Sequence, residues 1–321
     1  MNFPGFKYKQ NLSVDIEALV HLIAAHQRPD GEIPWCAGQK TDPWDHVEAA
    51  MGLAIGGRFG AARKAFRWLA ANQLADGSWY AAYREGRPQD KTRDSNLSAY
   101  IAVGLYHYYR VTGDDDFMAA MWPTMARAID FAVGLQAKEG PIYWALDPAG
   151  RLDRMALLTG SSSVYMSLKC ALALAAVQGK SRPAWEAARD RLGHALRHKR
   201  PLFNMTKSRF SMDWFYPILA GALTGDDARR RIDKYWKKFV VEGQGVRCVF
   251  DEPWVTIAET CELVLALSAM GHTDLAGIVF GWISDKRFED GTFWCGYTFP
   301  DMVVWPEDKI TWTNAVVLMA L

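Results

Sequence analysis

The sequence predicts an all-α fold: an (α/α)6 toroid in which six helical hairpins form an inner and an outer ring. Three observations carry this. Amphipathic, charge-bearing segments lie at about 14–26, 58–73, 116–136, 183–198, 226–240 and 273–286. Between them lie segments that open polar and then turn small and apolar on nearly every side, from Trp44, Arg93, Thr159, Met212, Pro253 and Pro306. A glycine stop followed by an aromatic loop recurs along the chain. A helix with one apolar stripe covers a core, and one that is apolar all round is buried within it. Helical pairs cannot bury such faces alone, but a closed ring of pairs can. An open solenoid would leave the inner bodies uncovered. The reading is therefore one domain over residues 1–321, with about twelve helices.

The recurring loop is clearest in KAFRWLAANQLADGSW, residues 64–79. Phe66, Leu69 and Ala70 share a helical face by their spacing. Gln73 falls near the helix end, Asp76-Gly77 breaks it and Trp79 enters the loop. The same grammar places Gln27, Asp30, Gly31 and Trp35, then Gln136, Gly140 and Trp144. Asp290, Gly291 and Trp294 repeat it without the glutamine. Several inner segments open on Pro, Asp or Ser, residues favoured at helix starts.

Composition removes several classes of function. Basic and acidic side chains number 37 and 36, so no net field favours nucleic acid or an anionic membrane. No apolar stretch of about 18 residues is read in the chain, so no transmembrane segment is expected. The N-terminus lacks the apolar core of a secretory signal, and the expected location is cytoplasmic. Cys36, Cys170, Cys248, Cys261 and Cys295 are scattered and read as free, buried thiols. No spacing suggests a metal site, and no cofactor is implied. Nothing in the sequence sets an oligomeric state. The unusual number is 14 tryptophans, beside 12 tyrosines and 15 phenylalanines. Such rings line pockets for sugars and for hydrocarbons alike.

The 64–79 segment resembles the Gln-Trp repeat of squalene cyclases and prenyltransferases. Lys64, Ala65, Trp68, Leu69, Gln73, Gly77 and Trp79 match it in register, and Arg127, Ala128, Phe131, Gln136 and Gly140 give a looser copy. DPWDHVEAAMGLAIGGRFGAARKAFRWL and TGDDDFMAAMWPTMARAIDFAVGLQ are similar to hairpins of six-hairpin glycosidases. Both resemblances imply an α/α toroid. The sequence departs from the cyclases in lacking their Asp-x-Asp-Asp motif, and from protein prenyltransferases in lacking an Asp, Cys, His zinc set at Cys295.

In a toroid the inner helices start at one mouth, where their N-termini favour negative charge. The sequence puts carboxylates there. Asp45 and Glu48 are three apart and share a face, as are Glu259 and Glu262. Asp213 lies beside Trp214 and Tyr216. These five are the candidate acid or base groups. Asp45 and Asp213 read equally as helix caps. Glu259 and Glu262 stand in an otherwise apolar helix, where burial raises a carboxyl pKa unless a partner such as Arg247 compensates. Candidate substrate-binding residues are Trp44, His46, Trp79, Asp94, Trp144, Tyr165, Trp214, Tyr216, Arg247, Trp254, Trp294 and Glu307. The mouth residues point to carboxylate acid/base chemistry on a glycoside, with indole faces for sugar rings. The alternatives are an isoprenoid substrate in a cyclase- or prenyltransferase-like enzyme, and a non-catalytic binding toroid. In either enzymatic reading the partner is a small molecule.

Overall fold

The computed structural model describes residues 14–321. The outer ring comprises α1 (Ile16–His26), α3 (Phe59–Asn72), α6 (Asp115–Gly134), α8 (Pro183–His198), α10 (Gly225–Phe239) and α12 (Thr273–Gly281). The inner ring comprises α2 (Pro43–Ile55), α4 (Ser95–Ala99) running into α5 (Ile101–Thr112), α7 (Leu158–Val177), α9 (Met212–Leu219), α11 (Ile257–Ala269) and α13 (Thr311–Ala320). The two pieces α4 and α5 meet at Tyr100 and occupy one position, so the predicted six-hairpin toroid is the observed one.

Each inner helix packs on the next, from α2 through α5, α7, α9 and α11 to α13, and α13 packs on α2 again. The closing seam is tight. A Cβ on Gly52 of α2 would sit 2.8 Å from the Ala315 side chain of α13, so only glycine fits there. The buried residues form one main cluster that follows the ring, from Leu19 to Leu318.

The recurring loops act as clamps between outer helices. The Gln27 amide donates to the carbonyls of Gly31 (3.2 Å) and of Ala61 on α3 (3.0 Å). Gln73 donates to Gly77 and to Thr124 of α6, both at 2.8 Å. Gln136 donates to Gly140 (2.8 Å) and to Ala188 of α8 (2.9 Å). The glycines have φ of +106°, +92° and +119° at Gly31, Gly77 and Gly140, and lie against the backbones of Lys64, Arg127 and Arg191. Side chains are disfavoured there by conformation and by collision. The copy without glutamine brings Gly291 to Asp15 and Ala18 of the first outer helix, so the outer ring also closes.

Three short antiparallel sheets were not foreseen. β1 (Ala82–Arg84) pairs β2 (Arg87–Asp90). β3 (Arg93–Asp94), β4 (Ala145–Leu146) and β5 (Leu152–Asp153) form the second. β6 (Val240–Val241), β7 (Gly245–Arg247), β8 (Trp254–Thr256) and β9 (Gly296–Thr298) form the third. They shorten two predicted inner helices. The Trp254-Val255-Thr256 run pairs with β7 and β9, so α11 begins at Ile257 rather than Pro253. The Trp305 amide donates back to Gly296, which holds the segment before α13 extended until Thr311.

One further expectation needs correction. Leu158–Val177 is 20 residues long with a mean hydropathy of 1.3 over its best window, enough by length and composition to cross a membrane. Here it is α7, an inner-ring helix packed against α5, α8 and α9, with buried Ser161, Ser162, Ser163 and Ser167.

If the clamps hold the outer ring, Gly77→Ala will destabilise the fold by about 2 kcal/mol or more, through forced φ and backbone collision. Thermal unfolding checks this, with Gly86→Ala as control: its φ is also positive, but the space around it is open.

Candidate active site

The inner helix starts and the loops joining them to the strands surround a cavity of about 500 Å³. Its acidic wall comes from α2 and α11, which flank α13 in the ring. Asp42 caps α2, accepting from the Asp45 amide at 3.0 Å, and its other oxygen accepts from the Trp35 indole at 2.9 Å. Pro43 fills the first turn. With the cap taken by Asp42, the Asp45 side chain is left to the cavity wall, half-buried. Glu48 lies one turn deeper and is 3% exposed. The pattern repeats on α11, where Glu259 is half-buried and Glu262, a turn deeper, is 6% exposed. All four line the cavity, and Trp312 of α13 lines it between the two helices.

The deep carboxylates rest on an aromatic floor. Trp44 stacks on Tyr100 with centroids 4.4 Å apart, and Tyr216 tilts against Trp44 at 5.6 Å. The Trp44 indole and the Tyr100 hydroxyl donate to one Glu48 oxygen at 2.7 and 3.2 Å. Those donors favour the carboxylate, but burial outweighs them, and the charges of Asp42 and Glu259 add to it. Glu48 is pushed up to about 8. Glu262 is pushed well up by burial, then by Glu48 and Glu259. Burial also raises Asp45 well above the usual carboxylate range, helped by Asp42 and Glu48. Asp94 is pushed up to about 6 by burial, against donors from the Leu97 and Asn96 amides and the Trp144 indole. Burial thus raises the proton affinity of Glu48, Glu262, Asp45 and Asp94, the direction a general acid requires.

Of the residues singled out from the sequence, Trp44, Asp45, Glu48, Asp94, Trp144, Glu259 and Glu262 line this cavity, and Tyr216 packs beneath it. The others are placed elsewhere. Asp213 is buried and accepts from the Thr159 amide (3.2 Å) and hydroxyl (2.7 Å), so it caps the neighbouring helix α7. Burial raises its pKa, which Thr159 partly offsets. His46 is a core residue, joined to the Ile33 amide and the Ala65 carbonyl, and burial lowers it to about 4. Trp79 is buried and donates to Leu69 within its own clamp. Tyr165 packs against Gly193 of α8. Trp214 stacks on Phe239 of α10 at 5.4 Å. Arg247 donates to the Phe250 carbonyl and covers the Phe299 ring, so it is not the counter-ion expected for Glu259 or Glu262. Trp254 bonds the Trp305 carbonyl, and Trp294 lies edge-on to Tyr297. Glu307, expected in a first helical turn, lies exposed in the extended segment before α13.

Several lining residues were missed. Asp42-Pro43 carried a cap-then-proline signal that was legible. Trp312 follows Thr311, the true start of α13, and was obscured by placing that start at Pro306. Lys40 reaches the cavity from a loop, Asp90 from the end of β2 and Met212 from the start of α9. The five cysteines are free, and no His, Cys, Asp and Glu grouping suited to a metal occurs among the described residues.

Comparison with known proteins places the chain. It is 48% identical over 298 residues to the MMP endo-(1,4)-3-O-methyl-alpha-D-mannosidase of Mycolicibacterium hassiacum, covering 93% of this chain and 82% of that protein. The chain belongs to that enzyme's family. It is thus a member of a family of glycoside-hydrolase type, and the isoprenoid reading gains no support. No family model matches the chain. Among solved structures, a wild-type glycosidase superposes with a TM-score of 0.72 at 15% identity, over 95% of this chain and 94% of its own. The GH63 mannosylglycerate hydrolase of Thermus thermophilus, in complex with glucose, gives 0.73 at 12% identity, over 95% and 99%. A D-mannose isomerase gives 0.74 at 10% identity, over 99% and 98%. At those identities the likeness shows the toroid alone.

The buried carboxyls carry a stability signature. Glu48 keeps its proton to about pH 8 when folded and loses it near its ordinary 4.5 when unfolded. Folding therefore takes up a proton between those values, and the stability from this group is lost as pH rises through the window. The wild-type melting temperature should fall between about pH 5 and pH 8, and Glu48→Gln, which cannot titrate, should flatten that fall. An unchanged slope would mean that Glu48 ionises normally.

Proposed function

We propose that the chain is an endo-acting α-mannosidase that hydrolyses α-(1→4) bonds in a 3-O-methylated mannose chain. One observation carries the chemistry: paired carboxylates on α2 and α11 lining one cavity. Kinship with the Mycolicibacterium hassiacum enzyme supports the substrate class.

The half-buried member of each pair is the one a substrate can reach. Asp45 is the proton donor, because burial and its acidic neighbours raise its proton affinity. It protonates the glycosidic oxygen as the bond from that oxygen to C1 breaks. Glu259, on the other helix, accepts a proton from the water that attacks C1. The leaving sugar takes the Asp45 proton, the water supplies hydroxide to C1, and Glu259 ends protonated. Exchange with solvent restores both groups. Glu48 and Glu262 form the second layer, a turn deeper on the same two helices. The indoles of Trp144 and Trp312 offer apolar surface to the sugar rings.

Asp45→Asn and Glu259→Gln should each lower kcat by about 10²- to 10⁴-fold. Asp45→Asn should be spared on an aryl mannoside whose leaving group needs no proton, whereas Glu259→Gln should not. Asp213→Asn should lower thermal stability and leave kcat within a few-fold. Full activity in both Asp45→Asn and Glu259→Gln removes the assignment.

A further inference from the structure

The cavity does not end the aromatic surface. Trp312, on its wall, meets Trp35 with ring centroids 6.0 Å apart. Both pack on a small cluster of Cys36, Cys295 and Ile310, separate from the main core. Trp254 packs on the same cluster, and Trp305 meets Trp254 at 5.2 Å and 71°. Trp305 is 60% exposed, the most exposed large hydrophobic side chain among the described residues. It is not loosely held: its carbonyl accepts from the Trp254 indole at 3.0 Å, and its amide donates to Gly296 at 3.0 Å. Exposing an indole on a fixed backbone forgoes burial that would stabilise the fold, so a binding role is the economical explanation. Exposed carboxylates at Asp301, Glu307 and Asp308 lie in the same segment. They suit hydroxyl donors and oppose an anionic surface.

We propose that Trp312, Trp35, Trp254 and Trp305 form a track of outlying subsites that carries a neutral glycan chain away from the cavity. The inference rests on the hydrolase reading and deepens it. A cavity of about 500 Å³ is of the size that takes a small ligand, whereas a polymer cut internally must continue outside it. The track is continuous with the cavity at Trp312, and it ends on the one indole that presents most of its surface to solvent.

The test compares wild type, Trp305→Ala and Trp305→Phe on 3-O-methylated α-(1→4)-mannan and on the corresponding disaccharide carrying an aryl leaving group. Trp305→Ala should raise KM for the polymer about tenfold, the loss of one aromatic contact, with kcat unchanged. Neither constant should move for the disaccharide, and Trp305→Phe should recover most of the polymer affinity. Calorimetric binding of the polymer to Asp45→Asn, with and without Trp305→Ala, should show the same difference without turnover. Equal effects on polymer and disaccharide, or none on either, overturn the track and leave the hydrolase reading standing. No hydrolysis of either substrate by wild type overturns both. Binding to neutral phosphatidylcholine vesicles that Trp305→Ala abolishes, with polymer kinetics intact, assigns the indole to a membrane and overturns the track.

Discussion

A ring has to end where it began, and the seam between α13 and α2 is the constraint on which this molecule depends. Gly52 against Ala315 sets how closely the two helices approach. That approach fixes the position of α11 relative to α2, since α13 lies between them. The acidic wall is therefore a product of closure. Two short i, i+3 patterns, more than two hundred residues apart in the chain, become one surface only when the last inner helix docks on the first.

Gathering those groups is unfavourable in itself. Buried carboxyls resist ionisation, and like charges nearby strengthen the resistance. The fold accepts this locally by keeping Glu48 protonated and satisfying one of its oxygens with Trp44 and Tyr100. Unlike a structural ion pair, such a cluster adds little to stability near neutral pH. It does raise the proton affinity of groups that line the cavity.

Much of the architecture was legible in sequence because it rests on periodicity. The outer helices alternate charge and core, the inner ones open polar and then turn apolar, and three loops repeat Gln and Gly four residues apart with a Trp soon after. The two misplaced starts, at Pro253 and Pro306, share a cause. Each depends on strand pairing, with β7 and β9 at Pro253 and with Gly296 at Pro306, and local proline chemistry cannot report that. The carboxylate pairs on α2 and α11 were legible because a charge in an apolar helix needs a reason. Asp213 and His46 offered similar signals and proved to serve packing, since a capping bond to the next helix or a bond to a distant carbonyl leaves no local trace. Tryptophan was the least informative residue: the same side chain is a clamp at Trp79, a wall at Trp144 and an exposed face at Trp305.

The long-range seam also bears on the order in which the molecule assembles. Hairpins of neighbouring helices and the clamps that join them are local in sequence and can form early, whereas contacts of large sequence separation close late. A partly folded chain can thus present α2, with Asp45 and Glu48 already on one face, while its cavity does not yet exist. Those carboxyls stay hydrated and ionise as ordinary acids until the ring shuts. The unusual proton affinity of this site therefore belongs to the closed ring and not to either helix alone.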